Sequence, residues 1–113
     1  MPVGARTPEE LETLFEDAFL LCDHHALTEL FEAGAVLVVD GGAQEARGGA
    51  EISRLVAGLW DGDRTYLAQP GRILQADDTA LIVAGDGINV VRCGKDGTWR
   101  YAISILQSHA RTP

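Results

Sequence analysis

Apolar residues recur every three or four positions in the first part of the chain, which is the pattern of amphipathic helices. A helix start is predicted at Thr7. Thr7 suits the N-cap, Pro8 suits the first helical position, and Glu10 suits the acid of a capping box. We expect the helix to end at Asp23. Its apolar stripe comprises Leu11, Leu14, Phe15, Ala18, Leu21 and Cys22, and Glu9, Glu12, Glu16 and Asp17 are predicted to face water.

A second, shorter helix is predicted after His24-His25, with Leu27, Leu30 and Phe31 on its inner face and Gly34 as its C-terminal stop. Beyond that glycine the period of the pattern changes from about 3.6 to 2. The apolar run 35–39 predicts a strand that is covered on both faces. Asp40 closes this strand, Gly41-Gly42 indicates a tight turn, and residues 44–47 are predicted to return as the second arm of a hairpin.

A third amphipathic helix and a sheet are predicted for the remainder. The helix carries its stripe on Ile52, Leu55, Val56, Leu59 and Trp60. Three long antiparallel strands follow, over 65–75, 79–91 and 98–106, with internal breaks at Pro70-Gly71 and at 85–87 that predict curvature. The fold class is therefore α+β, with three N-terminal helices packed on a curved, mostly antiparallel sheet.

Length and composition favour a single globular domain over residues 1–113, with 1–6 and 108–113 as flexible tails. No apolar run approaches the roughly 20 residues that cross a bilayer, and the N-terminus lacks a secretory signal, so we expect a cytoplasmic protein without membrane contact. Cys22 and Cys93 are too few and too far apart for a disulfide framework or a metal motif. We predict no metal and no cofactor.

The net charge of −8 argues against nucleic acid as a partner. Phosphate contacts require a clustered positive surface, which nine scattered lysine and arginine residues do not supply. Much of the acidic excess lies between Glu9 and Glu32, and we interpret it as the solvated face of the helices.

Three segments, LTELFEAGAVLVVDGG, ARGGAEISRL and KDGTWRYAISIL, follow one another in an order and at a spacing that resemble the NTF2-like superfamily. The bacterial SnoaL-like and ketosteroid-isomerase-like proteins are the most similar members. The resemblance covers nearly the whole chain. It implies a cone in which the curved sheet wraps around the helices, a cavity at the wide end, and a homodimer formed through the outer face of the sheet.

The resemblance also implies roles for particular residues. Asp40 matches the general-base aspartate of the ketosteroid-isomerase-like members, with Arg47 and Gly48-Gly49 behind it. Asn89 falls near the position of the late acid that stabilises the dienolate, and Phe15 replaces the tyrosine donor. Asp40 and Asn89 are accordingly the predicted catalytic residues.

Asp40 has two other interpretations. Its carboxylate could accept backbone N–H groups in the turn at Gly41-Gly42, which requires no ligand. It could also form an ion pair with Arg47, either as a structural contact or to orient water, as in the epoxide hydrolases of this superfamily.

The predicted ligand pocket comprises Phe15, Phe19, Arg47, Trp60, Tyr66, Trp99 and Tyr101. Alternation places Trp99, Tyr101, Ile103 and Ile105 on one face of the last strand and Arg100, Ala102, Ser104 and Leu106 on the other. Both faces are mostly apolar, which favours a dimer.

The function predicted first is binding of a small hydrophobic molecule in an apolar pocket, and any catalysis would be cofactor-free isomerisation, cyclisation of the polyketide-cyclase kind or hydration. The alternative is a non-catalytic ligand-binding or dimeric assembly module of the same fold.

Overall fold

The computed structural model describes residues 4–39, 44–60, 70–84 and 87–106. Within these residues the helices are α1 (Pro8–Leu21), α2 (His24–Glu29) and α3 (Gly48–Trp60). The strands are β1 (Phe31–Val39), β2 (Gln44–Arg47), β3 (Pro70–Ala76), β4 (Thr79–Ala84), β5 (Gly87–Cys93) and β6 (Trp99–Leu106). The helices pack on one face of a curved six-stranded sheet, as the α+β prediction requires.

The start of α1 is a variant of the predicted capping box, in which Glu10 binds the residue before the cap instead of the cap itself. The Thr7 hydroxyl accepts the Glu10 backbone N–H at 3.0 Å, and the Glu10 carboxylate accepts the backbone N–H of Arg6 at 2.7 Å. The helix ends at Leu21 rather than at Asp23, because Cys22 adopts a left-handed conformation and Asp23 caps α2 through the N–H of Ala26.

The second helix is shorter than the sequence predicts. It ends at Glu29, and both Phe31 and Gly34 belong to β1 instead of to the helix and its stop. The change occurs where pairing with β6 begins, since the Leu30 carbonyl accepts the N–H of Tyr101 at 2.8 Å and Phe31 lies opposite Tyr101.

The sheet has the strand order β2-β1-β6-β5-β4-β3. Strands β1 and β6 are parallel, and the other neighbours are antiparallel. The predicted hairpin of β1 and β2 is confirmed, with Leu37 opposite Ala46. The last strand of the sequence therefore lies in the middle of the sheet.

The prediction of three long C-terminal strands is wrong in number, because the segment 79–91 contains two strands. β4 and β5 are antiparallel neighbours, with Ala84 opposite Gly87. The break at residues 85–87 is thus a reversal of the chain and not a bend within one strand.

A β-bulge in β6 corrects the predicted division of its faces. Val91 is paired with Tyr101 and Val90 with Ile103, so the register shifts by one residue at Ala102. Tyr101 and Ser104 both lie in the interior, whereas Ile103 is 44% exposed on the outer face. Trp99 and Tyr101 therefore do not share a face with Ile103 and Ile105, as strict alternation had predicted.

The core lies between the inner face of the sheet and the three helices. Its fully buried members include Leu11 of α1, Leu27 of α2, Ile52 of α3 and Leu37 of β1. No helix in the described ranges is long and apolar enough to cross a membrane.

Gly87 marks a close approach of two backbones. A Cβ at this position would lie 2.3 Å from the carbonyl oxygen of Ile105, whereas a Cβ at Gly58 on the exposed side of α3 would meet nothing within 4 Å. We expect Gly87→Ala to lower the free energy of unfolding by about 1–3 kcal/mol, because backbone must shift to make room. Gly58→Ala is the matched control and should raise it by about 0.5–1 kcal/mol. Urea denaturation of both variants measures the two changes, and an equal effect at both sites would contradict the close approach.

Candidate functional site

A small cavity lies inside the cone, between α1 and strands β1, β5 and β6. Its volume is about 10 Å³, which is near the minimum for one water molecule. The cavity brings together three of the residues that the sequence predicts for the site, namely Phe15, Asn89 and Tyr101. Phe31, Leu37, Ser104 and Leu106 complete its lining.

Aromatic rings form most of one wall of this cavity. The ring of Phe15 lies edge-on to Tyr101 at a centroid distance of 5.6 Å and edge-on to Phe31 at 6.1 Å. Phe19 stacks on Phe15 at 6.3 Å, so it supports the wall from the next turn of α1. Phe15 thus occupies the centre of the cluster, in the favourable edge-to-face geometry of aromatic pairs.

The opposite wall is polar. Asn89 of β5 and Ser104 of β6 are cross-strand partners, and both are buried, at 4% and 3% exposure. Their side chains lie on the inner face because Asn89 follows the regular alternation of β5, and Ser104 is turned inward by the bulge at Ala102. An amide and a hydroxyl at one cavity wall can bind the carbonyl or hydroxyl oxygen of a small molecule.

A buried carboxylate of α1 is bonded to one of the residues that line the cavity. Glu12 of α1 is 1% exposed, and the Tyr101 hydroxyl donates a hydrogen bond to its Oε2 atom. Glu12 was predicted to face water, and this prediction was wrong. The signal was present, because Glu12 is spaced three residues before Phe15 and seven before Phe19, on the stripe that faces the core.

The pair of Glu12 and Tyr101 joins the first helix to the last strand. A carboxylate removed from water requires donors in its surroundings, and the tyrosine hydroxyl supplies one of them. Tyr101 therefore presents its ring to the cavity and directs its hydroxyl to the helix.

Two of the remaining predicted site residues, Trp99 and Arg47, lie elsewhere. Trp99 is 5% exposed and its backbone N–H donates to the carbonyl of Ala5 at 2.9 Å, at the edge of the core near the N-terminus. Arg47 is on the surface of β2, where its Nε donates to Glu45 at 2.8 Å. Asp40, Tyr66 and the side chain of Trp60 lie outside the described residues.

The surroundings of Arg47 bear on the ion-pair interpretation of Asp40. Besides the side-chain contact with Glu45, the backbone N–H of Arg47 donates to the Glu51 carboxylate at 3.0 Å. The guanidinium thus has an acidic partner within its own strand, and pairing with Asp40 stays a prediction. Among the described residues, no group of three or more histidine, cysteine or acidic side chains is placed to hold a metal ion.

Comparison with known proteins gives no match to a family model and no relative among curated proteins. Solved structures do match. A ketosteroid isomerase-like protein from Erwinia carotovora atroseptica superposes with a TM-score of 0.71 at 17% identity, over 91% of this chain and 94% of that one. A protein from Streptomyces avermitilis is provisionally described as a dehydratase of the NTF2-like family. It superposes with a TM-score of 0.67 at 19% identity, over 90% of this chain and 93% of that one.

A third similar structure comes from Thiobacillus denitrificans and is provisionally described as a calcium/calmodulin-dependent protein kinase type II association domain. It superposes with a TM-score of 0.70 at 16% identity, over 95% of this chain and 98% of that one. At such identities the likeness concerns the fold alone. The chain has the NTF2-like fold, as its sequence predicts.

Proposed function

We propose that this protein is a SnoaL-like domain that binds a small, mostly apolar molecule inside the cone. The polar wall of Asn89 and Ser104, facing a cluster of aromatic rings, is the observation that carries the proposal. Small-molecule sites combine an apolar lining with a few placed polar groups, and this interior has both. The ketosteroid isomerase-like and dehydratase-like descriptions of two similar structures agree with it.

A ligand larger than water must displace part of the aromatic wall, because the cavity between the described residues holds only about 10 Å³. Phe15 is the side chain to move, since its ring separates the cavity from Phe19 and contacts Phe31 and Tyr101. We infer that an aromatic or polycyclic ligand takes over these ring contacts and presents one oxygen to Asn89 and Ser104.

Binding of 2-naphthol and naphthalene tests the polar wall. We expect both compounds to bind saturably to the wild-type protein. Asn89→Leu should lower the affinity for 2-naphthol about tenfold, because one buried hydrogen bond is lost. The affinity of naphthalene should change by less than about twofold, since naphthalene makes no such bond. Naphthol fluorescence and amide chemical shifts measure the two affinities.

The matched control for Asn89→Leu is Ser53→Ala. Ser53 is also buried, at 8% exposure, but its hydroxyl bonds to His24 Nδ1 at 2.9 Å and it does not line the cavity. Failure of wild-type protein to bind either compound, or equal loss in both variants, would contradict an interior ligand site.

We propose further that any catalysis here is cofactor-free proton transfer with Asp40 as general base and Asn89 as the polar partner of the developing oxyanion. Two observations on the neighbouring residues support this. Asp40 directly follows Val39, which is 1% exposed, and Val39 is paired with Leu106 at the cavity wall. In the sequence, Asp40 thus directly follows the strand that contributes Leu37 to the cavity.

Replacing Asp40 by asparagine tests this role. With a β,γ-unsaturated ketosteroid as substrate, kcat should fall by roughly 100-fold or more, because the amide cannot accept the proton. Glu45→Gln, which neutralises an exposed acid on the neighbouring strand, is the control and should leave kcat within about twofold. Activity of Asp40→Asn within tenfold of wild type would remove Asp40 from the mechanism.

A second candidate function is assembly through the outer face of the sheet, and a continuous apolar surface favours it. One row of cross-strand neighbours runs through Leu74, Leu81, Val90, Ile103 and Val36, and a second runs through Val83, Ile88, Ile105 and Val38. Leu74, Ile88 and Ile103 are 43–47% exposed. Apolar patches of this extent are typical of subunit interfaces.

We infer a homodimer in which this outer face is covered by a second copy. A symmetric pair buries the same rows on both subunits, which suits a patch that crosses five of the six strands. The description of the Thiobacillus denitrificans structure as an association domain agrees with an assembly role for this fold. Ligand binding and dimerisation use opposite faces of the sheet and are compatible.

Ile103→Lys tests the dimer. The introduced charge lies within the first row, so we expect the mass in solution to fall from about twice 12.1 kDa to that of a single chain. Leu20→Lys is the matched control, because Leu20 is 57% exposed on α1 and should leave the dimer intact. Light scattering coupled to size exclusion gives both masses. A monomeric wild type, or dissociation by both substitutions, would contradict this interface.

A further inference from the structure

A wide groove lies between α1, α2 and the turn that joins β5 to β6. Its volume is about 890 Å³, within the range of roughly 300–1,000 Å³ found for small-molecule sites. The groove and the interior cavity have no described lining residue in common, so the groove is a separate feature of the fold. Of the predicted ligand-pocket residues that the structure describes, none lines it.

The floor of the groove is apolar. Leu14, Ala18, Ala26 and Leu30 form it, and Leu21 stands at its side with 76% of its surface exposed. Leu21 was predicted to belong to the buried stripe of α1, and its exposure corrects that prediction. An exposed leucine beside an apolar floor gives a ligand with a hydrocarbon portion a surface to cover.

The rim of the groove is acidic. It carries the carboxylates of Asp17, Asp23, Glu29 and Asp96. Arg100 is the one lysine or arginine among the described lining residues, and its guanidinium is already paired with Asp96 at 3.2 Å. His25 is the other titratable group on the rim.

The four carboxylates differ in how far they are engaged. Asp96 accepts from Arg100 and from the backbone N–H of Thr98, and these two contacts hold the pKa of its carboxyl below the usual value. Asp23 caps α2. Asp17 and Glu29 are exposed and form no ion pair with any residue in the described part of the chain. Negative charge on the rim is therefore incompletely balanced.

We propose that this groove binds an organic cation with an apolar body, such as an alkylammonium compound. The hydrocarbon portion covers Leu21 and the apolar floor, and the ammonium group lies at the rim near Asp17 and Glu29. Charge complementarity selects the cation, because an anion would meet the uncompensated carboxylates. The volume agrees with a small molecule, because it lies within the range found for sites that hold one ligand.

Binding of octyltrimethylammonium tests the proposal, with octyl sulfate as the anionic probe of equal chain length. At pH 8 and low salt we expect saturable binding of the cation alone, with amide shifts confined to Leu21, Ala26, Thr98 and their neighbours. The affinity should fall when the salt concentration is raised from about 20 to 200 mM, since the rim is exposed and screened. Calorimetry and amide chemical shifts provide the two measurements.

The variant that tests the rim is Asp17→Asn combined with Glu29→Gln. We expect this double variant to weaken binding of the cation by roughly three- to tenfold, which is the contribution of two exposed charge contacts. The matched control is Glu9→Gln combined with Glu16→Gln, which removes the same charge from α1 outside the groove and should change the affinity by less than about twofold.

Four outcomes would overturn the proposal. The first is equal binding of octyl sulfate, and the second is an equal effect of both double variants. The third is that the cation changes the amide chemical shifts of residues on the outer sheet face, around Ile88 and Ile103, and not those of residues in the groove. A short leucine-lysine peptide that binds the groove when octyltrimethylammonium does not would assign the surface to a basic protein segment and would equally overturn it.

Discussion

The parallel pairing of β6 with β1 is the contact on which the rest of the described structure depends. Strands β1 and β2 form one hairpin, and β3 to β6 form a meander in which each strand pairs with the next. Among the described residues, the two parts meet as a continuous sheet where Phe31 lies beside Tyr101 and where Val36 to Val39 lie beside Ile103 to Leu106. The helices, the cavity and the outer apolar face all require this sheet to be whole.

The bulge at Ala102 gives that central strand two different kinds of residue on its two faces. Before it, Tyr101 points to the core, and after it Ser104 does so while Ile103 turns outward. One extra residue therefore supplies a hydroxyl to the interior and isoleucines to the outer face. The surfaces on both sides of the sheet depend on this irregularity, because removing the bulge would exchange the residues that each face presents.

The order of elements was predictable because helical and strand periods differ clearly along this chain. The capping box at Thr7 and the hairpin ending at Arg47 are local signals, and both are confirmed. Errors arose where a long-range contact overrides the local pattern. Phe31 fits a helix stripe by spacing, yet it is drawn into β1 by pairing with β6, whose residues are some 70 positions away in the sequence.

The site was predictable only in part, for the same reason. Phe15 and Asn89 were predicted for the site through a family resemblance and Tyr101 as an aromatic lining residue, and the three do line one cavity. Glu12 was missed because an acid within a helix is ordinarily solvated, and only the partner from β6 shows why this one is buried. The bulge at Ala102 leaves no local signal, so the inward position of Ser104 could not be read from alternation.

The central position of β6 has a consequence for synthesis of the chain. Because β6 follows the other described strands in the sequence, β1 keeps one edge without its neighbour until residues 99–106 have emerged from the ribosome. During that interval Glu12 also lacks the hydroxyl of Tyr101, and the apolar strand Ala35 to Val39 is open to pairing with other chains. The sheet therefore becomes continuous only after β6 is synthesised, and the edge of β1 is exposed to aggregation until then.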